Sequence, residues 1–187
     1  MSNFAYVDDV GYEILNGKIV SLSPRANPRH SEVSGNIHAI FHSYLRGKKC
    51  KVYMESPDVE LTDKDTVVPD VFVVCDSDKI QTDHIVGDPD IIIEVLSPST
   101  TKNDRNYKKN LYGEVGVKEY WIVDANSKCV EVYGLLNGTL AFVDLYIIHS
   151  EYELNKLSEE ARSAVKYKFQ SLVFPDLEID LEEVFEE

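Results

Sequence analysis

The stretch Ile91-Ile92-Ile93-Glu94-Val95-Leu96 is a nearly continuous apolar run, introduced by Gly87-Asp88-Pro89-Asp90 and followed by Ser97-Pro98. A run of this length between turn residues is typical of a β-strand that is covered on both faces. Val71-Phe72-Val73-Val74-Cys75, directly after Pro69-Asp70, has the same character. We therefore expect two adjacent interior strands at the centre of a sheet.

Helical and extended patterns surround these two strands. Asn16-Gly17 separates two short strand-like stretches and predicts a β-hairpin, because both residues accept a positive φ. Apolar residues recur at helical spacing over residues 30–45, and a second helix over residues 103–115 would end at Gly116. The pattern also predicts a turn at residues 63–65 and a terminal helix after Pro175. Further strands are predicted at residues 51–54, 58–61, 119–124, 129–133, 140–148 and 165–169. The predicted fold class is α/β, a single domain over residues 1–187 with a mixed β-sheet flanked by helices and an N-terminal β-hairpin.

The composition is that of an ordinary soluble globular protein, with 43% apolar and 28% charged residues. A net charge of −14 argues against a protein that holds nucleic acid mainly by bulk charge, although it does not exclude a nuclease. The first residues resemble no signal peptide, and no apolar run reaches the roughly 18 residues that a membrane span needs. We expect a cytoplasmic protein without a membrane segment.

The three cysteines, Cys50, Cys75 and Cys129, are far apart and form no C-x-x-C pair. This spacing favours neither a disulfide framework nor a structural zinc site. We expect all three to be small buried apolar side chains in a reducing compartment.

Glu94 is the most informative residue, because it interrupts an otherwise apolar interior strand. An unpaired carboxylate in such a place costs several kcal/mol, so a proton, a basic side chain or a metal ion must compensate it. The alternative is that Glu94 lies at the solvent end of the strand or in a structural ion pair. Asp70, at the start of the neighbouring apolar strand, is a second carboxylate within reach. Two such acids without zinc-type ligands nearby are suited to a hard cation such as Mg²⁺.

Lys108 is the third candidate residue. It forms a stripe with Asp104 and Tyr112, because these residues recur every fourth position in the predicted second helix. One interpretation directs the Lys108 ammonium towards the metal pocket, where it could orient a water molecule and offset phosphate charge. The other is a surface Asp104–Lys108 ion pair, worth only a few tenths of a kcal/mol.

Several motifs along the chain belong to one recognisable pattern. They are Pro69-Asp70, Gly87-Asp88-Pro89-Asp90, Ile93-Glu94-Val95-Leu96-Ser97-Pro98-Ser99-Thr100, Asp104 with Lys108 and Tyr112, Gly116-Val117-Lys118-Glu119-Tyr120-Trp121-Ile122-Val123-Asp124, the hairpin from Tyr12-Glu13 to Ser23-Pro24, His30, and Phe174-Pro175-Asp176-Leu177. Together they resemble the Uma-type restriction endonuclease family, within the PD-(D/E)XK nuclease superfamily. The resemblance covers most of the chain and implies a restriction-endonuclease-like fold.

The resemblance also implies roles for individual residues. The acidic residues of the superfamily correspond to Asp70 and Glu94, but its usual lysine position, two residues after Glu94, is Leu96 here. The resemblance implies that the lysine comes from the next helix in this family, and the corresponding residue here is Lys108. An N-terminal acidic residue joins the site in many relatives, which implies a part for Glu13.

The resulting hypothesis is a Mg²⁺- or Mn²⁺-dependent endonuclease that hydrolyses DNA. Asp70, Glu94 and the Val95 carbonyl would hold the metal, and Lys108 would position the attacking water. Glu13, His30 and Tyr112 are possible additional site residues, and His30 could equally be only a neighbour of a helix cap.

Two basic clusters could meet a phosphate backbone: Arg46-Gly47-Lys48-Lys49-Cys50-Lys51, and the residues Lys102, Arg105, Lys108 and Lys109. Solvated helix ends are the other interpretation of these clusters. Cutting both strands of a duplex commonly takes two active sites, so a homodimer is expected. Two alternatives remain open, namely a non-catalytic binding or assembly module that keeps the nuclease fold, and a hydrolase of another phosphodiester.

Overall fold

The computed structural model describes residues 11–22, 27–98 and 100–186. Ser23, Pro24 and Ser99, which form part of the resemblance, lie outside these ranges. The strands are β1 (Tyr12–Leu15), β2 (Lys18–Ser21), β3 (Lys51–Met54), β4 (Asp58–Thr62), β5 (Asp65–Val67), β6 (Val71–Val74), β7 (His84–Val86), β8 (Ile91–Val95), β9 (Glu119–Asp124), β10 (Cys129–Leu136), β11 (Thr139–Ile147), β12 (Lys168–Gln170) and β13 (Glu178–Asp180). The helices are α1 (Pro28–Leu45), α2 (Thr101–Asn103), α3 (Lys109–Val115), α4 (Glu151–Leu154), α5 (Glu159–Ser163) and α6 (Leu181–Val184).

A six-stranded mixed sheet forms the centre of the fold, in the order β11-β10-β9-β8-β6-β3. Strands β8 and β9 are parallel, and the other neighbours are antiparallel. Every residue of β6 and β8 is buried, as expected for strands that are covered on both faces. The prediction of two adjacent interior strands is confirmed, since β6 pairs directly with β8.

A second sheet has the order β2-β1-β5-β4-β7, and β12 and β13 form a separate pair. The predicted hairpin is confirmed, with φ values of 51° at Asn16 and 72° at Gly17. The sequence pattern missed β5 and β7, because three residues are too few to establish an alternation. Asp65, which we assigned to a turn, is the first residue of β5.

The two faces of β8 belong to two different apolar clusters, because successive side chains of a strand point in opposite directions. Ile91, Ile93 and Val95 pack with residues of α1. Ile92 lies in the cluster that contains Leu111 and Tyr112 of α3. Glu94, which has the parity of Ile92, therefore lies on the face of the sheet that α3 covers.

The helix after β8 has three continuous segments: α2, a π-helical turn (Asp104–Lys108) and α3. Gly116 ends it in a left-handed conformation, with φ of 109°, as its predicted role at the helix end requires. A Cβ atom at Gly113 would lie 2.9 Å from the backbone nitrogen of Leu140, so glycine permits α3 to lie directly against β11.

The expectation for the cysteines is wrong for two of them. Cys50 and Cys75 form a disulfide, whereas Cys129 is a free, half-buried thiol. The physical reason is the pairing of β3 with β6, in which Lys51 lies opposite Val74 and thus places Cys50 opposite Cys75. None of the three is fully buried.

The C-terminal prediction also needs correction. The strand predicted at residues 165–169 is β12, three residues long and shifted towards the C-terminus, and it pairs with an unpredicted strand, β13. The predicted terminal helix is only the single turn α6, which begins after β13. No helix among the described residues has the length and apolar character required to cross a membrane.

Candidate functional site

The pairing of β6 with β8 brings Asp70 and Glu94 to the same end of the central sheet. Val71 lies opposite Ile93 in this antiparallel pair. Asp70 precedes Val71 and Glu94 follows Ile93, so the two acids are at the same level. The Asp70 side chain turns towards β8, where its Oδ2 accepts a hydrogen bond of 2.6 Å from the Val95 amide. Asp70 is about one-fifth exposed, so it forms the solvent-accessible side of the site.

Glu94 lies deeper, with only 4% of its surface exposed. Its Oε1 accepts hydrogen bonds from the Lys108 ammonium at 3.1 Å and from the Tyr112 hydroxyl at 2.7 Å. Burial raises the pKa of Glu94 well above its usual value, and the positive charge of Lys108 opposes this change. Glu94 is therefore part of a buried ion pair, as one interpretation of the sequence expects. It also lies at the position where the other interpretation expects a metal ligand.

Lys108 is 2% exposed, and three carboxylates surround its ammonium group. Nζ lies 2.8 Å from Oε1 of Glu13, 3.1 Å from Oε1 of Glu94 and 3.5 Å from Oδ1 of Asp104. Burial alone lowers the pKa of Lys108, but the three carboxylates outweigh burial and raise it far above its usual value. Lys108 is therefore a cation at neutral pH, and its interpretation as part of a surface ion pair is wrong.

Glu13 reaches this cluster from the second sheet. It lies on β1, and its Oε1 also accepts a hydrogen bond of 3.0 Å from the Val68 amide, directly after β5. A hydrogen bond connects the adjacent strand β5 to the π-helical turn, because Oδ1 of Asp65 accepts from the Tyr107 hydroxyl at 2.6 Å. Glu13 is 2% exposed, so its side chain is part of the buried cluster.

His30 is both a neighbour of the helix cap and a contact of the candidate site, which are the two roles that the sequence left open. Its backbone amide donates to the side chain of Asn27, the residue that caps α1, at 2.8 Å. Its imidazole Nε2 lies 3.3 Å from Oδ2 of Asp70. Burial lowers the pKa of His30, but the hydrogen bond to Asp70 and the Val95 carbonyl raise it to a net value above the usual one.

Asp104 is the member of the cluster that the sequence analysis did not select. It is 1% exposed, and neither carboxylate oxygen has a hydrogen-bond partner among the described residues. Its backbone carbonyl accepts a hydrogen bond of 3.1 Å from the buried Tyr120 hydroxyl. The available signal was the four-residue spacing from Lys108, which we interpreted as a stripe that forms at most a surface ion pair.

The donor set around Asp70 and Glu94 is suited to a hard divalent cation. The described hydrogen bonds and ion pairs use Oδ2 of Asp70 and Oε1 of Glu94, which leaves Oδ1 and Oε2 for other partners. Mg²⁺ is usually held by one or two carboxylates with water completing its shell. Within residues 11–22, 27–98 and 100–186, no group of three His, Cys, Asp or Glu side chains is arranged to hold a metal ion. A metal here would therefore depend on two carboxylates, a backbone carbonyl and water.

The second basic cluster does not form one continuous surface. Lys108 is buried, Arg105 forms an ion pair of 2.5 Å with Glu131, and Lys109 lies over the Tyr133 ring. Lys102 is exposed. In the first cluster, Lys48 lies 3.8 Å from Asp176 and over the ring of Tyr44.

Comparison with known proteins shows the family to which the chain belongs. The model of the Uma2 family, described as "Putative restriction endonuclease", matches residues 5–160. The chain belongs to this family. The match includes every residue of the cluster described above.

Two relatives extend the comparison. The "Uncharacterized protein slr1290" of Synechocystis sp. is 25% identical over 164 residues, which are 87% of this chain and 80% of the relative. A crystal structure described as "a putative nuclease belonging to DUF820", from Anabaena variabilis, superposes with a TM-score of 0.69 at 16% identity, covering 93% of this chain and 89% of that one. The predicted restriction-endonuclease-like α/β fold is thereby confirmed.

Proposed function

We propose that this Uma2 family member is a Mg²⁺- or Mn²⁺-dependent endonuclease that hydrolyses phosphodiester bonds in DNA. The observation that carries the proposal is the convergence of Asp70 and Glu94 from neighbouring strands, with the buried Lys108 ammonium 3.1 Å from Glu94. Two carboxylates can bind a divalent ion, which activates a water molecule and stabilises phosphate charge, and a nearby ammonium can offset further phosphate charge.

The metal ligands in this proposal are Asp70, Glu94 and the Val95 carbonyl. A bound divalent ion supplies Lewis-acid stabilisation of the phosphate and lowers the pKa of a water molecule. The protein supplies carboxylates for its binding, because Glu13, Asp70, Glu94 and Asp104 outnumber the basic groups Lys108 and His30, and a bound divalent cation would favour the ionised form of the buried acids whose pKa burial raises.

Each remaining residue has a role set by its contacts. Lys108, already fixed among carboxylates, positions the attacking water and offsets phosphate charge. Tyr112 holds Oε1 of Glu94 through its hydroxyl, so that Oε2 would be available as a metal ligand. His30 holds Asp70 from the accessible side.

The substrate and assembly complete the proposal. The protein acts on DNA in the cytoplasm as a homodimer, because two active sites cut the two strands of a duplex. Since the net charge is −14 and Arg105, Lys108 and Lys109 already contact protein groups, few basic side chains near the site contact the phosphate backbone, and we expect a shallow salt dependence of DNA binding. Size-exclusion chromatography with light scattering measures the assembly.

The decisive experiment is cleavage of supercoiled plasmid with Mg²⁺ or Mn²⁺ by the wild type and by Glu94→Gln. The wild type is expected to cut, and the variant is expected to lose nearly all activity. Glu131→Gln, which changes a carboxylate on β10 outside the cluster, serves as the matched control. Equal cutting by the wild type and Glu94→Gln would indicate contamination and reject the assignment. Parallel assays with single-stranded DNA and RNA test the third possibility, a hydrolase of another phosphodiester.

A non-catalytic binding or assembly module is the second candidate, favoured by Leu96 at the position where the superfamily has its lysine. Calorimetric titration with Mn²⁺ separates the two functions. A protein that binds neither Mn²⁺ nor any nucleic acid offered would support the module. Saturable Mn²⁺ binding that Glu94→Gln abolishes would support the enzyme.

A further inference from the structure

Asp104 is a buried carboxylate whose contacts no structural role explains. It is 1% exposed, and neither oxygen has a hydrogen-bond partner among the described residues. A buried charge without hydrogen bonds normally costs several kcal/mol. Glu119 provides a contrast, since its carboxylate is equally buried but accepts hydrogen bonds from Trp121, Ser171 and the Val173 amide.

The backbone around Asp104 is also unusual, because the π-helical turn extends from Asp104 to Lys108. In an α-helix of 3.6 residues per turn, a residue four positions further along overshoots one full turn by roughly 40°. Residues four positions apart share one side of an α-helix despite this offset, and Asp104 and Lys108, at the two ends of the π turn, also lie on the same side. Turns of this kind often occur at functional sites.

A hydrogen bond connects the π turn to the central sheet. The Tyr120 hydroxyl on β9 donates a hydrogen bond of 3.1 Å to the Asp104 carbonyl, and both groups are buried. The Asp104 side chain consequently stays close to Lys108, with Oδ1 at 3.5 Å from Nζ. This distance is too long for a good hydrogen bond, so the attraction between the two groups is mainly electrostatic.

We infer that Asp104 is a positioning residue, which holds the Lys108 ammonium in place for the proposed hydrolysis. The inference rests on the proposed function. Glu94 is both a partner of Lys108 and a proposed metal ligand, so its charge is shared when a cation is present. Asp104 has no ligand role in the proposal, and apart from an interaction with the Thr100 side chain its carboxylate faces Lys108. Lys108 thus keeps its location beside Glu13.

The test compares Asp104→Asn with Asp104→Glu, which keeps the charge, and with Glu119→Gln, a buried carboxylate on β9 that serves as the structural control. In plasmid cleavage, Asp104→Asn is expected to lower kcat roughly 10–100-fold, in the range seen when a group that orients a catalytic side chain is removed. KM for DNA should stay within about twofold, since Asp104 is too buried to touch the substrate. Asp104→Glu should recover part of kcat.

A measurement on the metal-free protein separates this inference from the proposed function. In protein labelled with ¹⁵N-lysine, the ammonium signal of Lys108 is identified by its loss in Lys108→Met. Asp104→Asn is expected to shift or broaden this signal, and Glu119→Gln is expected to leave it unchanged. An unmoved signal in Asp104→Asn overturns the positioning role, whether or not the wild type cuts DNA. A wild type that cuts, with Asp104→Asn at full kcat, overturns it as well and leaves the nuclease proposal intact.

Discussion

Lys108 and Glu13 form an ion pair of 2.8 Å in which both side chains are only 2% exposed. The pair joins the second sheet to the helix that follows the central strand β8, so it contributes both to the site and to the packing of the two layers. A buried ion pair of this kind is strongly destabilising when only one partner is removed, because the other charge stays behind without compensation.

Lys108→Met tests this directly. The substitution keeps an unbranched side chain, one atom shorter, but leaves the carboxylates of Glu13, Glu94 and Asp104 without their cation. We expect a loss of about 3–5 kcal/mol in the free energy of unfolding at neutral pH, measured by urea denaturation. Lys109→Met, at the neighbouring half-buried position, should cost much less. Equal effects of the two substitutions would contradict the ion-pair account.

Glu94 makes stability depend on pH. Burial raises its folded-state pKa above 4.5, so the native protein holds this proton more tightly than the unfolded chain does. The corresponding stabilisation is fully present below 4.5 and is lost as the pH rises through the raised pKa. Glu94→Gln removes this titration, so the stability of the wild type relative to the variant should fall as the pH increases from 4.5. Unfolding curves over a series of pH values measure the difference, and two parallel stability profiles would refute the prediction.

Asp65 ties the hairpin that carries Glu13 to the helix that carries Lys108. Its carboxylate accepts hydrogen bonds from the Asn16 amide at 2.7 Å, from Tyr107 at 2.6 Å and from Thr62 at 2.7 Å. Burial raises the pKa of Asp65, but these hydrogen bonds outweigh burial and give a net value below 3.8. Its stabilisation is therefore present above 3.8 and lost as the pH falls through the lower folded-state pKa.

We expect Asp65→Asn to cost about 1–3 kcal/mol in the free energy of unfolding, because it weakens several hydrogen bonds of one partly buried group. Tyr107→Phe removes a single one and should cost less. Faster amide hydrogen exchange in β1 and β2 of Asp65→Asn would show that the hairpin has loosened. Unchanged exchange in these strands would mean that other contacts hold Glu13 in place.

The disulfide should stabilise the edge of the central sheet. Cys50 and Cys75 are 25 positions apart, and closing a loop of this length is worth roughly 3 kcal/mol through the entropy of the unfolded chain. Cys75→Ser is therefore expected to lower Tm markedly under oxidising conditions, while Cys129→Ser, at the free thiol, changes it little. A reducing agent should lower the Tm of the wild type but not that of Cys75→Ser. An insensitive wild type would indicate that the bond does not form in solution.

The central elements could be predicted from the sequence because their signals are local. The apolar runs of β6 and β8 and the Asn16-Gly17 turn each depend on neighbouring residues alone. Glu94 was identifiable for the same reason, since a charge inside an apolar run requires a partner. The adjacency of Asp70 and Glu94 followed once the two strands were taken as neighbours.

The features that sequence reasoning missed depend on the long-range register of strands and on the packing of a helix against the sheets. Cys50 meets Cys75 only because β3 pairs with β6 in one particular register. Asp104 and Lys108 are neighbours in any helix because of their spacing, but their burial depends on the packing of this side of the helix against β8 and β1. A spacing of four residues therefore could not distinguish a solvated stripe from a buried cluster.

Asp70 provides the last prediction, because it is the accessible carboxylate of the proposed metal site. Its Oδ2 accepts the Val95 amide hydrogen, and an asparagine oxygen can accept the same hydrogen bond, so Asp70→Asn should fold normally. The variant nevertheless loses the negative charge that a divalent cation requires. We expect calorimetric titration with Mn²⁺ to show binding weakened at least roughly tenfold, as expected when a metal site loses a ligand charge. Glu55→Gln, which removes another negative charge that acts on His30, should bind Mn²⁺ almost as the wild type does. Equal losses in the two variants would mean that general negative charge attracts the ion, and that Asp70 is not its ligand.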